Sequence, residues 1–170
     1  MRIRKQQTEE NLLIRAILTE AFGREDEADL VEQIRATAYY LPALSLVAEL
    51  RDQTLSGYLL FSEIELKTAD ETRLILGLAP LAVRPAHQRN GIGSALVEEG
   101  LRLAKQKAYP AVAVLGHADY YPRFGFRPST DFGIPAPFAV PEENYLLLEL
   151  YPDSLKNLAG TIQYPEAFSK

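Results

Sequence analysis

Apolar and polar positions along the chain fall into blocks with two different periods. From Thr8 to Phe22, the apolar residues Leu12, Leu13, Ala16, Ile17 and Ala21 recur at helical spacing, with Thr8 placed to cap the first turn and Gly23 to stop the last. A second helix is predicted over Glu27 to about Thr37. Leu44 to Leu50 and Leu55 to Leu66 then read as strands joined by the polar turn Arg51-Asp52-Gln53-Thr54, and Arg73 to Val83 as a third after Thr68-Ala69-Asp70-Glu71. Connections this short make an antiparallel meander, preceded by a short strand near Ile3.

The period changes again after Gly91. At about 100° per residue, Ile92, Leu96, Val97, Gly100, Leu101, Leu103 and Ala104 fill one half of a helix, and Glu98, Glu99, Arg102, Lys105 and Gln106 fill the other. That helix should lie on a sheet. Tyr109-Pro110 ends it, and Ala111 to Leu115 is a wholly apolar run of the kind found in strands buried on both faces. Strand, loop, helix and strand make a βαβ unit with a right-handed crossover and a parallel pair. Beyond it, Tyr120 to Phe124 reads as one helical turn and Asn144 to Tyr151 as a last strand. Between them, Pro135, Pro137 and Pro141 make Asp131 to Glu143 a shaped surface loop. The tail segment Thr161 to Pro165 either adds a short strand or packs on a partner chain.

Composition narrows the classes this pattern can serve. The 170 residues, 47% of them hydrophobic, suffice for one domain with a real core and show no linker or repeat, so a single domain over 1–170 is expected, with a core of about 2–151 and a C-terminal extension over 152–170. No segment approaches the ~20 apolar residues of a membrane span, and the basic N-terminus has no apolar run behind it, which predicts a soluble cytoplasmic protein with no membrane partner. Cysteine is absent, which excludes disulfides, thiolate metal sites and a cysteine nucleophile. With His87 and His117 as the only histidines, no metal centre is expected. A net charge of −5 without a long basic block argues against nucleic acid and for a small-molecule or protein substrate.

The most informative stretch joins the third long strand to the helix that follows it. Leu81-Ala82-Val83 leads through the polar loop Arg84 to Asn90 into Gly91-Ile92-Gly93-Ser94, so that two glycines open the helix. The first turn of a helix leaves backbone N–H groups without partners and carries the positive end of the dipole, and glycine lets a phosphate approach closely. This is a place to hold a pyrophosphate. The nearest rival, a dinucleotide-binding βαβ unit, needs a third small residue where Leu96 stands and a tight turn directly off the strand.

Gln88-x-x-Gly91-x-Gly93, together with Tyr121-Pro122-Arg123-Phe124-Gly125-Phe126, resembles the acyl-CoA signature and the later Tyr and Gly-Phe element of the GCN5-related N-acetyltransferase (GNAT) superfamily. Tyr120 to Phe126 with Ala79-Pro80-Leu81-Ala82-Val83 is similar to its YhbS-like bacterial group. The resemblance spans Thr8 to Tyr151. It implies an α+β fold, with a mixed, mostly antiparallel twisted sheet flanked by helices. In that fold the strands ending at Val83 and Leu115 run parallel and then splay apart. It also implies acetyl-CoA as cosubstrate. Leu81, Ala82 and Val83 would pair with the pantetheine arm and polarise the thioester, and the N–H groups of Gln88, Arg89, Asn90, Gly91, Ile92, Gly93 and Ser94 would hold the pyrophosphate.

The same resemblance implies an N-acetyltransferase acting on a primary amine of a small molecule or protein by direct attack in a ternary complex. The alternative is an acyl-CoA-binding regulatory or interaction module without transfer activity. Tyr121 stands where the family has its general acid, with Tyr120 as the runner-up, and a phenol near pKa 10 matches a departing thiolate. The base is less defined, because the strand from Arg73 to Val83 has no acidic residue where many relatives carry a glutamate. Glu63 and His117 are the positional candidates, with Asp119 behind them and a bound water as a substitute. The acceptor is left open, as is the choice between monomer and homodimer.

Overall fold

The computed structural model describes residues 1–169. Strands β2 (Tyr40–Glu49), β3 (Leu55–Thr68) and β4 (Thr72–Val83) form the antiparallel meander, and β1 (Arg2–Lys5) adds to β2. β5 (Ala111–Leu115) runs parallel to β4, and β6 (Arg127–Pro128) and β7 (Tyr145–Glu149) complete the order β1-β2-β3-β4-β5-β7-β6. The result is a mixed α/β architecture, an open and mostly antiparallel sheet with one parallel pair and helices on its faces, as the sequence led us to expect. Among the described residues, no helix is long and apolar enough to cross a membrane.

Both faces of the meander are covered, so its strands are buried without alternation. On one face, Leu59 and Phe61 of β3 meet Leu96, Val97 and Leu101 of α3 (Ile92–Ala104). On the other, Tyr58 and Leu60 meet Ile14, Ile17 and Leu18 of α1 (Asn11–Phe22) and Val31 of α2 (Asp26–Arg35). Gly23 ends α1 in the left-handed conformation (φ 68°) that its place in the sequence predicts. The helix starts three residues later than Thr8, because a 3₁₀ turn over Thr8–Glu10 intervenes, with the Glu10 carboxylate accepting the Gln7 N–H at 2.8 Å and pairing with Arg4. α2 stops at Arg35, short of Thr37, whose hydroxyl donates to the Ile34 carbonyl at 2.7 Å.

Two features of the sheet were not foreseen in full. β8 (Gly160–Gln163) pairs with β3 from Glu65 to Thr68, so the tail segment takes the strand option and continues the edge of β3 beyond the reach of β2. Strand β4 is continuous, as predicted, but its register with β3 shifts partway along. Phe61 pairs with Leu78 and Leu59 with Leu81, which leaves Ala79 and Pro80, joined by a cis peptide, opposite the single residue Leu60. This bulge bends β4. Pairing with β5 is confined to Leu76↔Val112 and Gly77↔Ala113, and beyond them β4 and β5 separate.

The seat of α3 requires close approach to the sheet. A Cβ at Gly100 would come within 2.5 Å of Phe61 Cε2 and 2.8 Å of Leu59 Cδ2, both in fully buried rings and side chains. Replacing glycine by alanine inside a helix ordinarily gains about 1 kcal/mol. Here Gly100→Ala is expected to lose about 1–2 kcal/mol, because overpacking outweighs that gain. A lowered urea midpoint at constant m-value is the expected result, and an unchanged or raised midpoint would contradict the packing described.

Candidate active site

The loop after β4 is shaped by two left-handed residues. Arg89 (φ 65°) and Gly91 (φ 79°) turn the chain into α3, and the Gln88 side-chain amide donates to the Val83 carbonyl at 3.0 Å, clipping the loop back onto the strand. The first intrahelical bond runs from Ala95 N–H to Gly91 O at 3.0 Å, so the N–H groups of Ile92, Gly93 and Ser94 have no helical acceptor. The two glycines serve different ends. Gly91 needs its backbone conformation, since a Cβ there would meet nothing within 4 Å. Gly93 keeps space open: a side chain would start 3.4 Å from the Tyr120 hydroxyl and 3.7 Å from Val83, in the gap between β4 and the Tyr120 turn.

That gap belongs to a groove of about 950 Å³ running from Leu81 and Val83 past the opening turn of α3 to Arg123. Its charge is mainly positive. Arg89 and Arg123 both border it, and among the described residues neither has a carboxylate partner, while Asp119 is the only acidic residue on its wall. Arg123 is held in place, its Nε donating to Tyr120 O at 3.0 Å and its guanidinium lying 4.5 Å over the Tyr120 ring. Free N–H groups and unpaired guanidiniums suit a bound diphosphate.

A second cavity, of about 470 Å³, opens where β4 and β5 have separated. It is walled by Leu78 to Leu81 of β4, by Leu115 at the end of β5 and Tyr121 beyond it, and by Phe22, Glu27 and Leu30 of the first two helices. The two cavities share Leu81, His117 and Tyr120. A molecule lying in the first can therefore present one end to the second at that point.

The predicted residues distribute unevenly over this arrangement. Of those assigned to the cosubstrate, all border the groove except Ala82, buried against the α1 and α2 layer, and Asn90, whose amide donates to His87 O at 3.2 Å. Tyr121 is nearly buried, lines the second cavity and packs its ring against Gly116, where a Cβ would collide with it. Burial pushes its phenol well above the ordinary tyrosine range. Tyr120 borders both cavities, with its hydroxyl 3.1 Å from Ser94 Oγ. His117 is exposed at the junction, and Asp119 lies on the groove side only.

Glu63 requires correction. It lines neither cavity, and its carboxylate accepts the Tyr109 hydroxyl at 2.5 Å, near the far end of α3. It pairs with Leu76 on β4, ahead of the bulge, so the register keeps it out of the opening. Burial and this carboxylate push the Tyr109 phenol up. The carboxylate that does reach the cavity is Glu27, which sequence reasoning passed over. Its only signal was a place at the start of the second predicted helix.

Comparison with known proteins gives a consistent picture. Residues 2–129 match the family model described as "Acetyltransferase (GNAT) domain". The N-acetyltransferase YjhQ of Escherichia coli strain K12 is 42% identical over 132 residues, 77% of this chain and 72% of that protein. YhbS of the same strain is 31% identical over 157 residues, 92% of each chain. Among solved structures, E. coli YhbS in complex with CoA superposes with a TM-score of 0.90 at 30% identity, covering 99% of this chain and 92% of that one. A GNAT family acetyltransferase from Brucella melitensis in complex with acetyl-CoA gives 0.78 at 30% identity, covering 98% and 97%.

A structural rather than chemical role for Glu63 has a measurable consequence. Tyr109→Phe leaves a half-buried carboxylate without its phenol donor and is expected to cost about 1–2 kcal/mol in urea denaturation. Glu63→Gln keeps an acceptor oxygen and should cost less. Equal stability of Tyr109→Phe and the parent would remove the bond from the account.

Proposed function

The chain belongs to the GNAT acetyltransferase family, and from that premise we propose that it transfers an acetyl group from acetyl-CoA to a primary amine by direct attack within a ternary complex. It is an acyl-CoA-dependent acyltransferase. The observation that carries the finer reading is the meeting of the two cavities at Leu81, His117 and Tyr120. One cavity is polar and cationic, and the other is largely apolar. A donor in one and an acceptor in the other then meet at these shared residues, which is the positioning that a direct transfer needs.

Bound acetyl-CoA supplies an activated acyl carbon and a thiolate leaving group. In this reading the opening turn of α3, from Gln88 to Ser94, holds the diphosphate, with Arg89 and Arg123 as charged partners. The edge of β4 from Leu81 to Val83 orients the arm. Tyr121 holds a proton on its phenol oxygen for the departing sulfur. Because burial raises its pKa, that proton stays in place through neutral and mildly alkaline solution. His117, at the junction, is the group that takes a proton from the amine, directly or through water. Absence of cysteine supports direct transfer over a cysteine-bound acyl intermediate. The 1–170 chain acts as a single domain.

The primary test is calorimetric titration of acetyl-CoA, followed by thiol release with a panel of amines. Submicromolar to micromolar binding and amine-dependent release are expected. Binding with silence toward every amine would favour a regulatory module, and absence of binding would end the proposal. Tyr121→Phe should lower turnover at saturating acetyl-CoA by about a hundredfold while leaving CoA affinity within twofold. Glu63→Gln should leave turnover unchanged. The sign of the Tyr121 shift adds a pH prediction: a raised pKa keeps the donor protonated, so turnover should not decline on the alkaline side before about pH 10, the ordinary tyrosine value. A decline centred near pH 8 or 9 that Tyr121→Phe abolishes would contradict it.

A further inference from the structure

The acceptor-side cavity has an acidic group on its wall. Among the described residues, Glu27 is the only carboxylate on its wall, and no lysine or arginine lines it. Glu27 lies in the first turn of α2, with its side chain 16% exposed. Arg24 donates to both of its oxygens, at 2.9 and 2.5 Å, and holds the carboxyl below its usual range. Arg24 itself is largely exposed and does not border the cavity. Each carboxylate oxygen has a second lone pair beyond the one Arg24 takes. Such a group is a poor acceptor for a proton but a durable negative charge, suited to attract a cation.

The remaining wall is apolar. Phe22 and Leu115 are 39% and 49% exposed, which places them among the large hydrophobic side chains the fold leaves uncovered, and both face this cavity with Leu30, Leu78 and Tyr121. An apolar body seated there would cover them. A volume of about 470 Å³ suits a small molecule.

We infer that the acceptor is a small primary amine carried on an apolar or aromatic body with no carboxylate of its own, and that Glu27 selects it by its positive charge. This inference rests on the acyltransfer reading above and adds the chemistry of the acceptor to it. An amino acid would bring its carboxylate toward Glu27, with no lysine or arginine among the described wall residues to receive it. An arylalkylamine meets one carboxylate and a set of uncovered apolar side chains. Glu27 is thus a specificity-determining residue, distinct from the groups that move protons.

The test pairs two acceptors of equal ring size, 2-phenylethylamine and phenylalanine, measured both by calorimetric titration into the protein saturated with CoA and by thiol release with acetyl-CoA. Binding and at least tenfold higher kcat/KM are expected for 2-phenylethylamine. Glu27→Gln should raise its KM about tenfold, hold kcat and CoA affinity within twofold, and narrow the discrimination against phenylalanine. Arg24→Gln keeps the carboxylate and removes its partner, so amine binding should persist or tighten. Preference for phenylalanine, no binding of 2-phenylethylamine to the CoA complex, unchanged discrimination in Glu27→Gln, or equal loss in both variants would overturn the inference. Failure of CoA itself to bind would instead strike the broader reading. Turnover with other amines but not this class would strike the inference alone.

Discussion

Everything at the candidate site depends on β4 and β5 ceasing to pair. Two parallel strands would normally hydrogen-bond along their shared length, yet here the ladder ends at Gly77 and Ala113 while β4 runs on to Val83. The bulge at Ala79 and Pro80 bends β4 away, and Pro80 adds a position that has no N–H to donate. An edge of main-chain polar groups is thereby offered inside the molecule rather than at its rim, and such groups need partners. The loop to α3, the Tyr120 turn and the first two helices are arranged around that edge. Remove the bulge, and there is no place for two cavities to meet.

The strongest parts of the sequence pattern were those with one physical cause. The run Ala111 to Val114 is buried because it lies between covered faces, and the amphipathic division of α3 follows from its seat on β3. Gly23 ends α1 as its lack of a side chain permits. What was less legible depended on distant partners. Pro80 was visible, but its role as one of two residues facing Leu60 required the β3 register. β6 is two residues long and includes Pro128, too short for any period to register. β8 was visible as one of two options, and only the exposed upper edge of β3 decides between them.

The site followed the same division. The loop Gln88 to Ser94 could be found because its chemistry is local, a glycine-opened helix end. Carboxylates could not be assigned that way. Nothing local in the sequence tells the place of Glu63 from that of Glu27, and only topology separates them. One is turned toward Tyr109 at the far end of α3, and the other hangs from α2 over the opening. The charges then sort themselves by side, with unpaired guanidiniums along the groove and one ionised carboxylate in the cavity beyond. Opposite charges on the two walls favour an anionic donor in the groove and a cationic acceptor in the cavity.

The placement of β7 bears on how this molecule can be divided. Conserved-family matching ends at residue 129, yet β5 hydrogen-bonds β7 along its whole length, from Ala111↔Glu149 to Leu115↔Tyr145. A fragment cut at that boundary would bare five consecutive residues of the most apolar strand and invite them to zip onto a neighbour's edge. The recognisable signature and the smallest stably folding piece are therefore different lengths of the same polypeptide.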